Sequence, residues 1–221
     1  TKFAVGEPVM ALVTGSCASF VTVPEGLASP IPKNLSMAEA AAIPLAYLTA
    51  YYGLHTLAQL QPGDRVLIHA AAGGVGQAAV QLAQAAGAEI YATASPAKWP
   101  FLRAQGISHI ANSRTLDFAD EILEWTDGRG VDIVLNSLTG EFIDQSFAAL
   151  GKGGRFVELG KLGVWTQAQV AAKRPDAHYL PFDLGEIIVN QPQRLGHLWQ
   201  ALIDLFTRGL LTPLPITRFP V

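Results

Sequence analysis

The chain has 221 residues, of which half are apolar and 15% are charged, and its formal net charge is −3 at pH 7. This composition excludes a disordered chain and provides enough apolar side chains for a sizeable core. Lys and Arg form no cluster, and the most apolar stretch, residues 66–94, is interrupted by polar residues and glycines, so we expect neither nucleic acid nor a membrane as a partner. The single cysteine, Cys17, excludes an intramolecular disulfide, and no signal-peptide pattern is present. Both features predict a cytoplasmic protein.

The N-terminal part of the chain has the pattern of a β-rich segment. Residues 8–13 and 20–23 are mostly apolar or β-branched and are separated by Gly, Ser and Pro, so we expect two strands there. Ser36 and Glu39 have the spacing of a capping box, which predicts a short helix. Pro44 then ends that helix or begins the next one.

From about residue 66 onward, strand and helix patterns alternate, and several strands are nearly continuous apolar runs. Such runs are typical of parallel strands covered on both faces, and the alternation predicts an α/β doubly wound parallel sheet of the Rossmann type. We expect this domain to span residues 46–209, after a β-rich piece over 1–45 and before a return strand over 210–221. The predicted strands are residues 66–69, 89–93, 109–111, 131–135, 155–158 and 178–180. The predicted helices are residues 45–57, 75–86, 98–105, 118–125, 142–150 and 192–208.

A glycine-rich loop follows the first of these strands and precedes a long helix. In the G-x-G-x-x-G frame it has Ala71, Gly73 and Gly76, so alanine replaces the first glycine. Small residues let the backbone approach a pyrophosphate closely, and the helix N-terminus presents free N–H groups to it. The context therefore favours a dinucleotide site that includes Gly73, Gly74, Val75 and Gly76, although a tight turn that packs a helix on a strand has the same pattern.

The end of the second strand carries no carboxylate. Sites that prefer NAD place Asp or Glu there to bind the ribose hydroxyls, whereas this chain has Ser95 and Lys98. A hydroxyl and a cation suit a 2′-phosphate, so the sequence predicts NADP(H) as the cofactor, and Arg114 after the third strand is a second candidate cation. The alternatives are a solvated lysine in the first turn of a helix and an arginine in a surface salt bridge.

Four stretches together resemble one family. Residues 70–83 (AAAGGVGQAAVQLA) resemble the cofactor loop of quinone-oxidoreductase-type medium-chain reductases. Residues 113–118 (SRTLDF), 134–140 (VLNSLTG) and 156–161 (FVELGK) narrow the resemblance to the enoyl reductase domains of modular polyketide synthases and of animal fatty acid synthase. The likeness covers nearly the whole chain. It implies a Rossmann domain with part of a GroES-like barrel, whose two ends we expect to lie outside this sequence.

The resemblance also implies a reaction and its partners. NADPH gives a hydride to the β-carbon of an α,β-unsaturated thioester on an acyl carrier protein, a proton is delivered to the α-carbon, and neighbouring synthase domains surround the reductase. The proton donors proposed for such reductases match Lys161 and Asp183, for which the alternatives are an ordinary loop lysine and a helix-capping aspartate. Further cofactor contacts implied by the resemblance are Thr49, Ser113, Asn136, Ser137, Leu159 and Gly160. For Asn136 and Ser137 a simple turn is the alternative.

Other reactive side chains have structural explanations. His69 lies on a predicted strand and is expected to be a core histidine, and Tyr47, Tyr51 and Tyr52 are expected to pack within a helical stretch. No group of His and Cys has the spacing of a zinc site, so we expect no metal, unlike in the alcohol dehydrogenase branch.

The segment after Lys161 departs from the family pattern. The family often continues with Thr-Asp-Ile, whereas this chain has Leu162, Gly163 and Val164. Three alternatives to an enoyl reductase therefore stay open. They are hydride-triggered cyclopropane formation on an enoyl thioester with a γ-leaving group, a free-standing NADPH quinone reductase, and a non-catalytic cofactor-binding or structural module.

Overall fold

A computed structural model describes residues 2–191 and 193–219. Its central element is a six-stranded sheet in which every neighbouring pair of strands is parallel, in the order β5-β4-β3-β6-β7-β8. The strands of this sheet are β3 (Arg65–Ile68), β4 (Glu89–Ala94), β5 (His109–Asn112), β6 (Val131–Asn136), β7 (Leu150–Glu158) and β8 (His178–Pro181). The sheet is doubly wound, as predicted from the sequence. The strand order reverses its direction between β3 and β6, which is the topological switch point.

Helices cover both faces of the sheet. The helices are α1 (Met37–Ala41), α2 (Ile43–Tyr51), α3 (Gly74–Ala85), α4 (Trp99–Ala104), α5 (Phe118–Trp125), α6 (Glu141–Ala149), α7 (Gln167–Lys173), α8 (Leu184–Asn190) and α9 (Gln193–Thr207). Successive strand residues alternate between two cores: Val66 and Ile68 pack in the core with α2, α3 and α9, whereas Leu67 packs in the core with α5 and α6. Because both faces are covered, the central strands β3 and β6 contain continuous apolar runs, over residues 66–68 and 133–135.

The N-terminal segment differs in part from its predicted strands. The strand predicted over residues 8–13 is present as β1 (Val9–Ala11), but it pairs antiparallel with β2 (Ala28–Pro30). The strand predicted over residues 20–23 is wrong, because Phe20 is 93% exposed and this segment has no regular structure. The run resembles a strand, yet Phe20, Val21 and Thr22 are exposed, and no strand among the described residues pairs with it. Val23 packs against the core.

The helices near residue 45 follow their predicted signals. Ser36 and Glu39 form a complete capping box at the start of α1, and Pro44 lies in the first turn of α2. Residues 52–57 continue α2 as a π-helical turn rather than as an α-helix. This turn brings Gly53 against β7, where an added Cβ would lie 3.1 Å from Val157 Cγ1.

The C-terminal part contains two further differences. Helix α7 was not predicted, although Thr166 and Gln169 form a capping box at its start. The predicted return strand is not formed in residues 210–219, where Leu211 and Leu214 pack into the core and the Tyr47 hydroxyl donates a hydrogen bond to the Thr212 carbonyl at 2.5 Å. The predicted start of the last helix, Pro192, lies outside the described residues.

Within the described part of the chain, every helix is too short or too polar to cross a lipid bilayer.

Candidate functional site

The glycine-rich loop connects β3 to α3 at the carboxyl edge of the sheet. Ala70 has a positive φ of 49°, and its carbonyl accepts a hydrogen bond from the Gly73 N–H at 2.8 Å. The loop is tied to the neighbouring strand, because the Ala71 N–H donates to the Thr93 carbonyl at 3.0 Å. Gly73 then caps α3, whose first residues are Gly74 and Val75. The free N–H groups of this helix start therefore point out of the sheet edge, where anions are stabilised.

The surroundings of Gly74 and Gly76 differ in the space that they leave for a side chain. A Cβ at Gly76 would collide with the Ala70 carbonyl oxygen and would lie 2.7 Å from Ala71 Cα, so the helix can pack on the loop only without a side chain there. A Cβ at Gly74 would meet no atom of the protein within 4 Å. The open space at Gly74 is what a pyrophosphate approaching the helix start requires, so these residues fit a dinucleotide.

A polar pocket of about 230 Å³ lies beside the glycine-rich loop. It brings together four of the predicted cofactor-binding residues, Ser95, Lys98, Ser113 and Arg114, from the loops after β4 and β5, together with Gly73. No carboxylate among the described residues lies within 4.0 Å of the Lys98 or Arg114 cation. The surface salt bridge considered for Arg114 is therefore absent from the described part, and the pocket presents two cations without a carboxylate partner.

The predicted nicotinamide contacts lie toward the middle of the same edge. Asn136 is the last residue of β6 and is fully buried, whereas Ser137 is exposed. Leu159 and Gly160 follow β7, the strand next to β6, and the Leu159 N–H donates to the Asn136 carbonyl at 2.9 Å. Thr49 reaches this region from α2, where it lines a second pocket with Leu159.

This second, apolar pocket has a volume of about 380 Å³ and contains the predicted proton donors. Lys161 Nζ lies 2.6 Å from Asp183 Oδ2. The residues that line this apolar pocket include Leu12, Leu45, Thr49, Leu159, Lys161, Phe182, Asp183, Ile188 and Val189. A cation and a carboxylate thus face an otherwise apolar cavity.

Asp183 caps a helix, which is the alternative considered for it from the sequence, and it also contacts Lys161. Its Oδ1 accepts the Gly185 N–H at 2.7 Å and so caps α8, while its Oδ2 faces Lys161. The Lys161 ammonium, assisted by the Gly185 N–H, lowers the pKa of the Asp183 carboxyl below its ordinary value. Asp183 is therefore an ionised acceptor at neutral pH.

Sequence reasoning missed Glu158 as a site residue. It ends β7 with a side chain that is 1% exposed, accepts hydrogen bonds from Asn136 and Gly160, and has its pKa raised by burial. A carboxylate that directly follows two apolar residues, Phe156 and Val157, at the end of a predicted strand was the available signal. His69, by contrast, lies in the core as predicted: its ring bonds Thr93 and Ser146, and burial lowers its pKa to about 3.

The His, Cys, Asp and Glu side chains of the described residues do not form a metal site. No group of three or more His, Cys, Asp or Glu side chains in residues 2–191 and 193–219 is arranged to hold an ion. Cys17 is exposed. The donor set of the described residues therefore does not fit zinc, and the absence of a metal stays a prediction.

Comparisons with known proteins identify the family. Residues 74–207 match the family model described as zinc-binding dehydrogenase. The chain is 46% identical over 223 aligned positions to the pikromycin polyketide synthase component PikAII of Streptomyces venezuelae, which covers all of this chain and 6% of that protein. The chain thus spans only a small part of the synthases that it matches.

Two solved structures add the fold and a narrower class. The enoyl reductase of CurK is 56% identical with a TM-score of 0.94, covering 97% of this chain and 65% of that one. The CurF ER cyclopropanase from the curacin A pathway is 52% identical with a TM-score of 0.85, covering 87% of this chain and 58% of that one. The predicted Rossmann fold and the predicted family are confirmed: the chain belongs to the zinc-binding dehydrogenase family and, within it, to the enoyl reductase domains of polyketide synthases.

Proposed function

We propose that this protein uses NADPH to reduce an α,β-enoyl thioester carried by an acyl carrier protein within a polyketide synthase. The observation that carries the proposal is the Lys161–Asp183 pair, which faces an apolar pocket at the same sheet edge as the glycine-rich loop. The pair offers a proton source, and the largely apolar lining of the pocket suits an acyl chain. The neighbouring synthase domains and the acyl carrier protein follow from the resemblance and from the relatives that the chain matches.

The polar pocket supports NADPH rather than NADH. When bound, NADPH supplies the hydride that adds to the β-carbon of the substrate. Lys98 and Arg114, with the hydroxyls of Ser95 and Ser113, are the residues that would hold a 2′-phosphate, because charge-assisted hydrogen bonds to phosphate are strong. The start of α3 at Gly73 and Gly74 would hold the pyrophosphate.

The Lys161–Asp183 pair supports proton delivery. The Lys161 ammonium donates a proton to the α-carbon, and before that it stabilises the negative charge that develops on the thioester oxygen. Asp183 holds the ammonium in place from α8 and stays ionised. Leu45, Phe182 and Ile188 line the apolar wall of the pocket, against which the acyl chain would pack.

The proposal is tested by titrating NADPH and NADH against the full-length protein, following nicotinamide fluorescence, with and without a crotonyl thioester. We expect tighter binding of NADPH than of NADH and NADPH oxidation that requires the thioester. Lys161→Ala should abolish oxidation and keep NADPH binding, whereas the control Lys152→Ala, at an exposed lysine of β7, should change neither.

The other candidate functions give different results in the same experiment. NADPH oxidation by a quinone but not by the thioester would identify a quinone reductase, and binding without any oxidation would identify a non-catalytic module. The similarity to the CurF cyclopropanase makes ring closure the second candidate. With a γ-chloro enoyl thioester, hydride addition at the β-carbon followed by attack of the α-carbon on the γ-carbon expels chloride and leaves a cyclopropane. Mass spectrometry separates that product from the saturated γ-chloro thioester.

A further inference from the structure

A buried carboxylate begins the loop that carries Lys161. Glu158, the last residue of β7, is 1% exposed, and its register partner on β6, Asn136, is 0% exposed. Removing a carboxylate from water is unfavourable, and an apolar residue at this strand end would avoid that cost. The contacts of Glu158 show what the carboxylate does there.

Glu158 and Asn136 tie two loops together. Glu158 Oε2 accepts a hydrogen bond from Asn136 Nδ2 at 2.8 Å, and Oε1 accepts one from the Gly160 N–H at 2.6 Å. Asn136 Nδ2 also donates to the Leu138 carbonyl at 3.0 Å, and Asn136 Oδ1 accepts the Leu138 N–H at 3.1 Å. Glu158 therefore holds the loop that follows β7, and Asn136 holds the loop that follows β6. The hydrogen bond between the two side chains joins these loops.

Glu158 also bonds the segment between β8 and α8, which carries Asp183. The Glu158 carbonyl accepts the N–H of Phe182, the residue before Asp183, at 3.2 Å. Gly160 leaves room for the carboxylate, because a Cβ there would lie 2.7 Å from Glu158 Oε1. Glu158 thus contacts the backbone on both sides of the Lys161–Asp183 pair without contacting either side chain.

We propose that Glu158 and Asn136 form a positioning pair, which fixes the loop after β7 so that Lys161 meets Asp183 and faces the apolar pocket. This inference rests on the proposed function, since it assigns the pair to the residue that delivers the proton. The pair acts through Lys161, by holding the loop that carries this residue.

Exchanging amide and carboxylate tests the pairing directly. Glu158→Gln turns an NH₂ group toward a donor, either Asn136 Nδ2 or the Gly160 N–H, and Asn136→Asp places two carboxylates against each other. The double variant Glu158→Gln/Asn136→Asp restores one amide–carboxylate pair and the acceptor for Gly160, although the Leu138 carbonyl still lacks its donor. All three variants conserve volume, so a change reflects hydrogen bonding rather than packing.

Two readouts separate positioning from stability. The first is kcat and KM for NADPH oxidation with a crotonyl thioester, measured on the full-length protein and normalised to the folded fraction. The second needs no cofactor: the rate at which acetic anhydride labels Lys161, followed by mass spectrometry against the exposed Lys152. A lysine released from Asp183 should be labelled faster.

We expect each single variant to lower kcat by about tenfold with little change in KM and to raise Lys161 labelling by about threefold or more. The double variant should recover part of both, because the bond from residue 136 to the Leu138 carbonyl stays broken. Unchanged labelling and kcat in a folded single variant would overturn the proposal, as would a double variant no better than the singles. If the single variants do not fold, Gly160→Ala displaces the Glu158 carboxylate instead, and unchanged labelling there overturns the proposal too. A wild type without thioester-dependent oxidation would refute the proposed function, while the labelling result would still decide the positioning role.

Discussion

The polar pocket and the apolar pocket lie at the same edge of the sheet but are built differently. The polar pocket is formed by loops that directly follow β3, β4 and β5, and its cations have no carboxylate partner in the described part of the chain. The apolar pocket draws on segments as distant as Leu12, α2 and α8, and its one cation, Lys161, is paired with Asp183. Binding a phosphate calls for free charge and backbone N–H groups, whereas holding a proton donor calls for a charge fixed in position.

The largest effect is expected in the glycine-rich loop. Gly76→Ala forces a Cβ into the backbone of Ala70 and Ala71, neither of which is a flexible side-chain end, and should destabilise the protein by about 1–3 kcal/mol or more and abolish cofactor binding. Gly74→Ala is the matched control, because its Cβ meets open space: the melting temperature should hold while NADPH binding weakens. Thermal unfolding and nicotinamide fluorescence measure the two effects. Equal melting temperatures for Gly76→Ala and the wild type would contradict this reading of the loop.

Removing the ammonium should affect turnover and leave cofactor binding intact. Lys161→Ala should lower kcat by about 100-fold or more, the range for loss of a general acid, with the NADPH Kd unchanged. Asp183→Asn keeps an acceptor for Gly185 and removes only the charge, so it should cost less than Lys161→Ala. Steady-state kinetics at saturating NADPH give both values. A Lys161→Ala variant with wild-type kcat would remove Lys161 from the reaction.

The opposite pattern is expected in the polar pocket. Lys98→Ala and Arg114→Ala should each raise the NADPH Kd by about tenfold, equivalent to about 1.4 kcal/mol, and leave the NADH Kd unchanged. The two cations are exposed, so the effect should shrink in high salt. Equal changes in the Kd of NADPH and in the Kd of NADH would show that Lys98 and Arg114 do not bind the 2′-phosphate.

The smallest effect concerns stability and pH. Lys161 lowers the folded-state pKa of Asp183 below its ordinary value of 3.8, so the pair stabilises the folded state above about pH 4 and stops doing so as pH falls through the lowered pKa. The gap in unfolding free energy between the wild type and Asp183→Asn should therefore be present at pH 7 and narrow below pH 4. Denaturant unfolding measures it, with Asp127→Asn, at an exposed turn residue, as the control. A gap that widens below pH 4 would contradict the pairing.

Local signals explain why the polar pocket could be predicted from the sequence. The glycine-rich loop, Ser95, Lys98 and Arg114 each follow a strand directly, and parallel strands bring their carboxyl ends to one edge. The capping box at Ser36 and the alternation of strands and helices are equally local.

Features that depend on distant contacts were harder to predict. The resemblance identified Lys161 and Asp183, but their contact depends on how β7 and β8 pair, which no spacing in the sequence encodes. The bonds of Glu158 to Asn136 depend likewise on register between strands. The wrong strand over residues 20–23 had the right local pattern, but no strand among the described residues pairs with it.

NADPH and Lys161 are expected to act on the two adjacent carbons of one enoyl thioester. The most direct measurement uses NADPH deuterated at the transferred position in H₂O, and ordinary NADPH in D₂O, with crotonyl pantetheine and the full-length protein. The account predicts a butyryl product with one deuterium on the β-carbon in the first case and one on the α-carbon in the second. Thioester-independent NADPH oxidation, or no label transfer to the β-carbon, would contradict it.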